Sequence, residues 1–145
     1  MAADYQKIKQ AFDSSPYAIF LGMRLVELSR GHAKVSLEVG PQHDNWDQRT
    51  HGGLIMSLID QAFGCCLNTL ERIYVAVQLN VNFLHTPKKG ETITAEGKVI
   101  HAGRSLGVAE MTVCNAEQKV IATATGITLS MGLRYPEGNP QQDRS

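Results

Sequence analysis

The apolar positions of this chain change period three times. Tyr5, Ile8, Ala11 and Phe12 recur at helical spacing, which predicts a short amphipathic helix over 4–14 that Ser14, Ser15 and Pro16 stop. Alternation takes over in MRLVEL (23–28) and HAKVSLEV (32–39), two strands joined as a hairpin through Ser29, Arg30 and Gly31. Residues 40–50, GPQHDNWDQRT, are polar and rich in turn-formers, so they read as a loop. The apolar run THGGLIMSLIDQAFGCC, from 50 to 66, predicts a helix over 51–69. Four β-rich runs follow, at about 75–85, 92–102, 106–114 and 119–131. The turn chemistry of PKKGE, GR and NAEQ between them predicts an antiparallel meander.

A hairpin, one long apolar helix and then four strands is an α+β order, packed most economically as a curved antiparallel sheet wrapped around that helix. At 145 residues, 43% hydrophobic and 19% charged, the chain is expected to form a single domain with a real core. The tail from Gly132, GLRYPEGNPQQDRS, is too polar to bury and is expected to fray. Fourteen Lys plus Arg balance fourteen Asp plus Glu, which argues against general binding to a phosphate backbone and so against a nucleic-acid partner. MAADYQKIKQAF lacks the apolar core of a secretory signal, and no stretch approaches the roughly 20 apolar residues of a membrane span; a cytosolic protein is expected. The three cysteines, at 65, 66 and 114, form neither CxxC pairs nor an even disulfide set and read as reduced core thiols.

Asp60 is the anomaly of the long helix. At about 100° per residue, Ile55, Leu58, Ile59, Ala62, Phe63 and Cys66 share the sheet-facing side. Asp60 falls roughly 140° round from Ile55, on a flank with Gly53, Ser57 and Gly64, whose small side chains admit another backbone or a ligand. A lone helical Asp usually faces water, but in so apolar a helix an inward carboxylate must be hydrogen-bonded or protonated, and such groups gather at functional sites. HGG at 51–53 stands at the helix start, where the first amides lack acceptors and the dipole is positive, a terminus able to hold an anion or a polarised carbonyl. Flexible residues joining loop to helix explain the glycines nearly as well. Eight steps of about 1.5 Å put Gly52 and Asp60 roughly 12 Å apart, so acting together on one carbonyl they must come from two subunits related by a twofold axis.

Asn45, five residues, His51-Gly52-Gly53, six residues and Asp60, then the strand VAVQLNVNFLHTP and the turn HAGRS, resemble the hotdog-fold acyl-CoA thioesterases of the phenylacetate-pathway (PaaI-like) group, over about residues 16–131. The resemblance implies that Asp60 is nucleophile or general base on the thioester, that the Gly52 amide of a second subunit polarises its carbonyl, and that Asn45 and His51 position thioester or water. One carboxylate and fixed donors suffice for so activated an acyl group. Some members carry Ser or Thr early in the strand after the helix to hold the water; Ala76 stands there in this chain, with Gln78, Asn80 and Asn82 as candidate substitutes on one strand face. Gly53 completes the contact surface. Arg104 in HAGRS, with Lys88 and Lys89, is expected to meet the coenzyme A phosphates, and Met56, Leu67, Trp46 and Phe83 are candidates for an acyl pocket.

The implied function is hydrolysis of an acyl- or aroyl-CoA by a homodimer or dimer of dimers, with no cofactor beyond the coenzyme A of the substrate. The histidines at 32, 43, 51, 85 and 101 include no HExxH and no Cys/His cluster, so no metal site is expected. Ser57 lies outside any GxSxG elbow, and phosphate loops and dinucleotide fingerprints are absent. Two rivals stand beside the thioesterase: an acyl-CoA binding or sensing protein on the same fold, and a hydratase or dehydratase, which needs a His paired with the acid.

Overall fold

The computed structural model describes residues 5–133. The first predicted helix forms as α1 (Tyr5–Asp13), with Phe12 buried. A second, short helix, α2 (Pro16–Leu21), follows where the sequence reading placed only a stop. Pro16 suits its first turn, where no intrahelical N–H bond is lost, and Gly22 closes it in the left-handed region at φ 75°. The same proline ends one helix and begins the next.

β1 (Arg24–Ser29) and β2 (His32–Glu38) make the expected hairpin, turned through Gly31. A 3-10 turn (Pro41–His43) opens the polar loop, α3 (Gly52–Asn68) occupies the long apolar run, and β3 (Arg72–Phe83), β4 (Thr92–Ala102), β5 (Leu106–Asn115) and β6 (Val120–Leu133) complete the chain. Gly132 and Leu133 therefore belong to a strand and not to the tail; residues 134–145 lie outside the described ones, as do 1–4.

The strands form one antiparallel sheet in the order β1-β2-β4-β5-β6-β3. This corrects the four-strand meander. Only β4, β5 and β6 run as one; β3 pairs with β6 at the far edge, and β4 pairs with β2. The reason lies in the connection 84–91, which is too long for a tight hairpin and crosses one end of the sheet. Leu84 and His85 donate their amides to Ile121 O in β6, whereas Gly90 N donates to Val39 O beyond β2, at 2.7 Å.

The helix α3 lies across this sheet in contact with all six strands. Its predicted inner face is buried throughout, from Ile55 and Leu58 to Ile59, Ala62, Phe63 and Cys66, against Val35, Leu37, Ile93, Ala95, Ala109, Met111 and Val113. Each such large side chain contributes about 1.5–3 kcal/mol on leaving water. Two glycines bring helix and sheet together: a Cβ at Gly97 would meet the Ala62 carbonyl, and one at Gly126 would overlap the Phe63 ring. The result is the hotdog fold, an open sheet around one central helix, with β1 and β3 as its edges.

Because Phe63 already fills the space over Gly126, Gly126→Ala is expected to destabilise the protein by about 1–3 kcal/mol through overpacking. Urea unfolding measures it, and a loss too small to resolve means that α3 moves off the sheet without cost.

Candidate active site

The start of α3 is shaped by its N-cap. The His51 imidazole turns back so that Nδ1 accepts from Gly53 N at 2.7 Å, and Leu54 N donates to His51 O at 3.0 Å. A neutral His51 therefore carries its proton on Nε2, free to donate outward. Ahead of those satisfied amides, Gly52 N–H has no hydrogen-bond partner among the described residues. The first amide of the helix is thus an open donor at the positive end of the dipole. A Cβ on Gly53 would press within 2.9 Å of His51 Nδ1, so glycine there is what lets the imidazole close the cap.

The loop before the helix is held from inside. Asn45 Oδ1 accepts from Asp47 N at 2.9 Å and Arg49 N at 3.1 Å, which fixes a turn in which Gln48 adopts φ 57°. Asn45 thus spends its carbonyl on the loop and keeps only its Nδ2 for a ligand. Behind it, His43 is buried; its Nδ1 accepts from Gly40 N, its Nε2 donates to Leu21 O at the end of α2, and its carbonyl accepts from His51 N at 2.8 Å. The sequence reading missed His43, whose signal was a histidine two residues before Asn45 in an otherwise polar loop.

Asp60 projects from the flank that carries Gly53, Ser57 and Gly64. Its side chain is open to solvent in the single chain, yet the apolar helix wall around it desolvates the charged form and pushes its pKa up. No partner shares the charge: the Asp60 carboxylate makes no hydrogen bond or ion pair among the described residues. The approach that the small residues permit is taken by α2, where the Tyr17 hydroxyl lies 2.6 Å from Ser57 Oγ.

A bulge sorts the strand candidates. In the β3–β6 register Ala76 faces Thr128 while Gln78 faces Ile127, which makes Val77 the extra residue. Ala76 and buried Thr128 lie on the α3 side of the sheet. Gln78 pairs with Ile127, Asn80 with Thr125 and Asn82 with Thr123, all on the outer face, since their neighbours Leu79 and Val81 pack into the core. The three share a face as expected, but it is turned away from Asp60 of their own chain. Within one chain they do not stand where a hydroxyl at Ala76 would.

The basic candidates are also separated. Lys88 lines an open hollow of about 530 Å³ beside the α3 start, with Asp44, Gln48, Arg49, Thr50, Thr86, Pro87 and Lys89. Lys89 is paired with Asp44 at 2.6 Å and Arg49 with Asp47, whereas the Lys88 ammonium makes no ion pair among the described residues. Arg104 lies past the opposite end of β4, and a strand of eleven residues spans roughly 30 Å or more. One subunit cannot bring Lys88 and Arg104 to the same phosphate. Of the apolar candidates, Leu67 is core, Phe83 packs beside Gly52, Met56 is exposed and Trp46 is 94% exposed.

Cys65 and Cys66 are buried with their thiols pushed up to about 12 by desolvation, which makes them inert packing groups. Among the described residues no group of three or more His, Cys, Asp or Glu side chains could hold a metal ion, and no helix is long and apolar enough to cross a membrane.

A family model described as the thioesterase superfamily matches residues 48–122, which include both ends of α3. The chain is 30% identical to the acyl-coenzyme A thioesterase PaaI of Escherichia coli K12, over 88% of this chain and 91% of that one. The structure of E. coli PaaI superposes with a TM-score of 0.84, covering 89% of this chain and 94% of that one. The E. coli medium/long-chain acyl-CoA thioesterase YigI is 32% identical, over 76% of this chain and 82% of its own. The smu.793 protein of Streptococcus mutans UA159, solved bound to acetyl CoA, superposes with a TM-score of 0.76 at 31% identity, covering 80% of this chain and 94% of that one.

A carboxyl pKa raised in the folded chain contributes stability that is full below the unfolded value and is lost as pH rises through the folded one. Asp60→Asn is therefore expected to raise the thermal midpoint at pH 7, with the gap over the parent closing as pH falls toward 4. Thermal scans across that range check the sign.

Proposed function

The chain belongs to the thioesterase superfamily, and on that premise we propose that it hydrolyses an acyl- or aroyl-coenzyme A to the free acid and coenzyme A. The observation that carries this reading is the pairing, on one helix, of a desolvated unpartnered carboxylate at Asp60 with an unsatisfied first amide at Gly52. Asp60 activates a water or attacks the thioester itself. Gly52 N–H of a second subunit receives the carbonyl oxygen as it gains charge, a donor already in place when the oxyanion forms. Asn45 Nδ2 and His51 Nε2–H bracket that amide and orient the thioester, and the bare backbone of Gly53 and the small Ala76 leave room for it. No metal or further cofactor enters the reading.

The coenzyme A phosphates meet Lys88 and Arg104, one from each of two subunits, which the length of β4 requires. The same logic makes the working unit at least a homodimer, because about 12 Å of helix separates Gly52 from Asp60 in one chain. On the outer face of the sheet Val75, Leu129 and Leu106 form an exposed apolar row across three strands, which favours dimers pairing again into a homotetramer. Reduced thiols fit a cytosolic setting.

Thiol release from short, medium, long and aryl acyl-CoAs, measured in parallel for the parent and Asp60→Asn, tests the chemistry. Turnover by the parent and a loss of about 10²-fold or more in the variant are expected. Equal rates remove Asp60 from the reaction, and binding without thiol release from any substrate assigns the chain to acyl-CoA sensing instead. Light scattering is expected to give a dimer or tetramer, and an active monomer rules out the shared site.

A further inference from the structure

Ala76 carries no hydroxyl, and Gln78, Asn80 and Asn82 face away from Asp60 of their own chain, so within one chain the strand offers nothing to fix a water against that carboxylate. The hydroxyls that the Asp60 flank does offer come from α3 itself and from α2. Ser57 Oγ donates to Gly53 O, one turn back, at 2.7 Å. With its only proton committed there, Ser57 meets the Tyr17 hydroxyl, 2.6 Å away, as an acceptor. Tyr17 therefore donates to Ser57 and retains an acceptor lone pair on Oη. The proton order along Tyr17, Ser57 and Gly53 is fixed, and what it presents outward is an acceptor.

That acceptor lies on the flank of α3 that carries Asp60, hydrogen-bonded to Ser57. Ser57 and Asp60 are three residues apart on α3, where side chains of one face have their Cβ atoms about 5–6 Å apart. A water bonded to both Tyr17 Oη and the Asp60 carboxylate needs those oxygens about 5–6 Å apart, at roughly 2.8 Å per hydrogen bond. Tyr17 is held there by more than its own bond. Ala18 is buried beside it, Met23 N donates to Ala18 O at 2.8 Å, and His43 Nε2 donates to Leu21 O, tying α2 to the Asn45 loop. The Tyr17 ring is half exposed, so it is not needed to fill the core.

We propose that Tyr17 is a positioning residue of this site: its Oη and the Asp60 carboxylate hold the attacking water between them, doing the work that a hydroxyl at position 76 would otherwise do. The inference rests on the thioesterase reading, with Asp60 as general base. The water gives one hydrogen bond to Asp60 and one to Tyr17 Oη, which leaves a lone pair aimed at the thioester carbon. As the C–O bond forms, the proton passes to Asp60 and the carbonyl electron pair moves to the oxygen held by Gly52 N–H of the second subunit. Collapse breaks the C–S bond, and the thiolate takes the proton from Asp60. The free acid and the thiol leave, and the carboxylate is restored.

Tyr17→Phe keeps the ring and deletes Oη. With the full chain and the acyl-CoA it turns over fastest, the expected result is a fall in kcat of about tenfold or more, KM within about twofold of the parent and an unchanged thermal midpoint. Because both groups act on one water, Tyr17→Phe added to Asp60→Asn is expected to cost no more than about a further twofold, read in single turnover with excess enzyme. Ser57→Ala, which leaves the Tyr17 hydroxyl free to rotate, is expected to lower kcat by a similar factor and carries the test if Tyr17→Phe unfolds. A kcat for Tyr17→Phe within twofold of the parent, or losses that multiply in the double variant, overturns the proposal. If Asp60→Asn is inactive while Tyr17→Phe is not, this inference alone fails; if Asp60→Asn is fully active, the thioesterase reading of the carboxylate fails with it.

Discussion

The rest of the structure depends on how closely α3 lies against its sheet. At Gly97 the Ala62 carbonyl, and at Gly126 the Phe63 ring, occupy space that any side chain on the strand would need. A helix held at two such points, on two strands separated by β5, cannot roll without lifting its apolar face off the core. Its rotation is thereby set. With Ile55, Leu58, Ile59, Ala62 and Phe63 turned inward, Asp60 is confined to the flank where Gly53, Ser57 and Gly64 leave room, and Gly52 to the end where the loop arrives. The packing that stabilises the fold also aims the candidate functional groups.

The chemistry of the helix start is a matter of which backbone groups are already satisfied. His51 takes the Gly53 amide, the His51 carbonyl takes the Leu54 amide, and the Gly52 amide is left over. His43, from within, binds three backbone groups at once, from Gly40, Leu21 and His51, so that α2, the loop and α3 are fixed relative to one another. Asn45 is part of this scaffold as much as of the proposed site, because its carbonyl oxygen is spent on two loop amides. A rigid loop keeps the free donor at Gly52 from collapsing onto a local acceptor.

What was legible in the sequence was whatever short-range periodicity encodes. The inner face of α3, the hairpin of β1 and β2, and the span of β4 follow from spacing alone, and so does the flank shared by Asp60 and its small neighbours. The partner of β3 does not, because a strand's sequence states which residues face the core and not which strand lies beside it. PKKGE reads as a turn when it is part of an eight-residue crossing from β3 to β4. The bulge at Val77 was equally silent, and it reverses the face on which Gln78 and Asn80 fall relative to Ala76. Pro16 was ambiguous in a different way, since the residue that forbids continuing one helix is well suited to starting another.

A carboxylate with no partner, left in an apolar wall, works against folding, and the same desolvation that costs stability makes it a better base than a solvated aspartate. Nothing among the described residues relieves that cost: the hydroxyl chain on the same flank, from Tyr17 through Ser57 to Gly53, directs its protons toward the helix backbone. A water or a substrate is then the natural donor to both Asp60 and Tyr17. Relief of the unpaired charge comes with ligand binding and not with folding, so binding energy and the positioning of the attacking water are drawn from the same two hydrogen bonds. An arrangement of this kind places the unfavourable charge where the proposed reaction uses it.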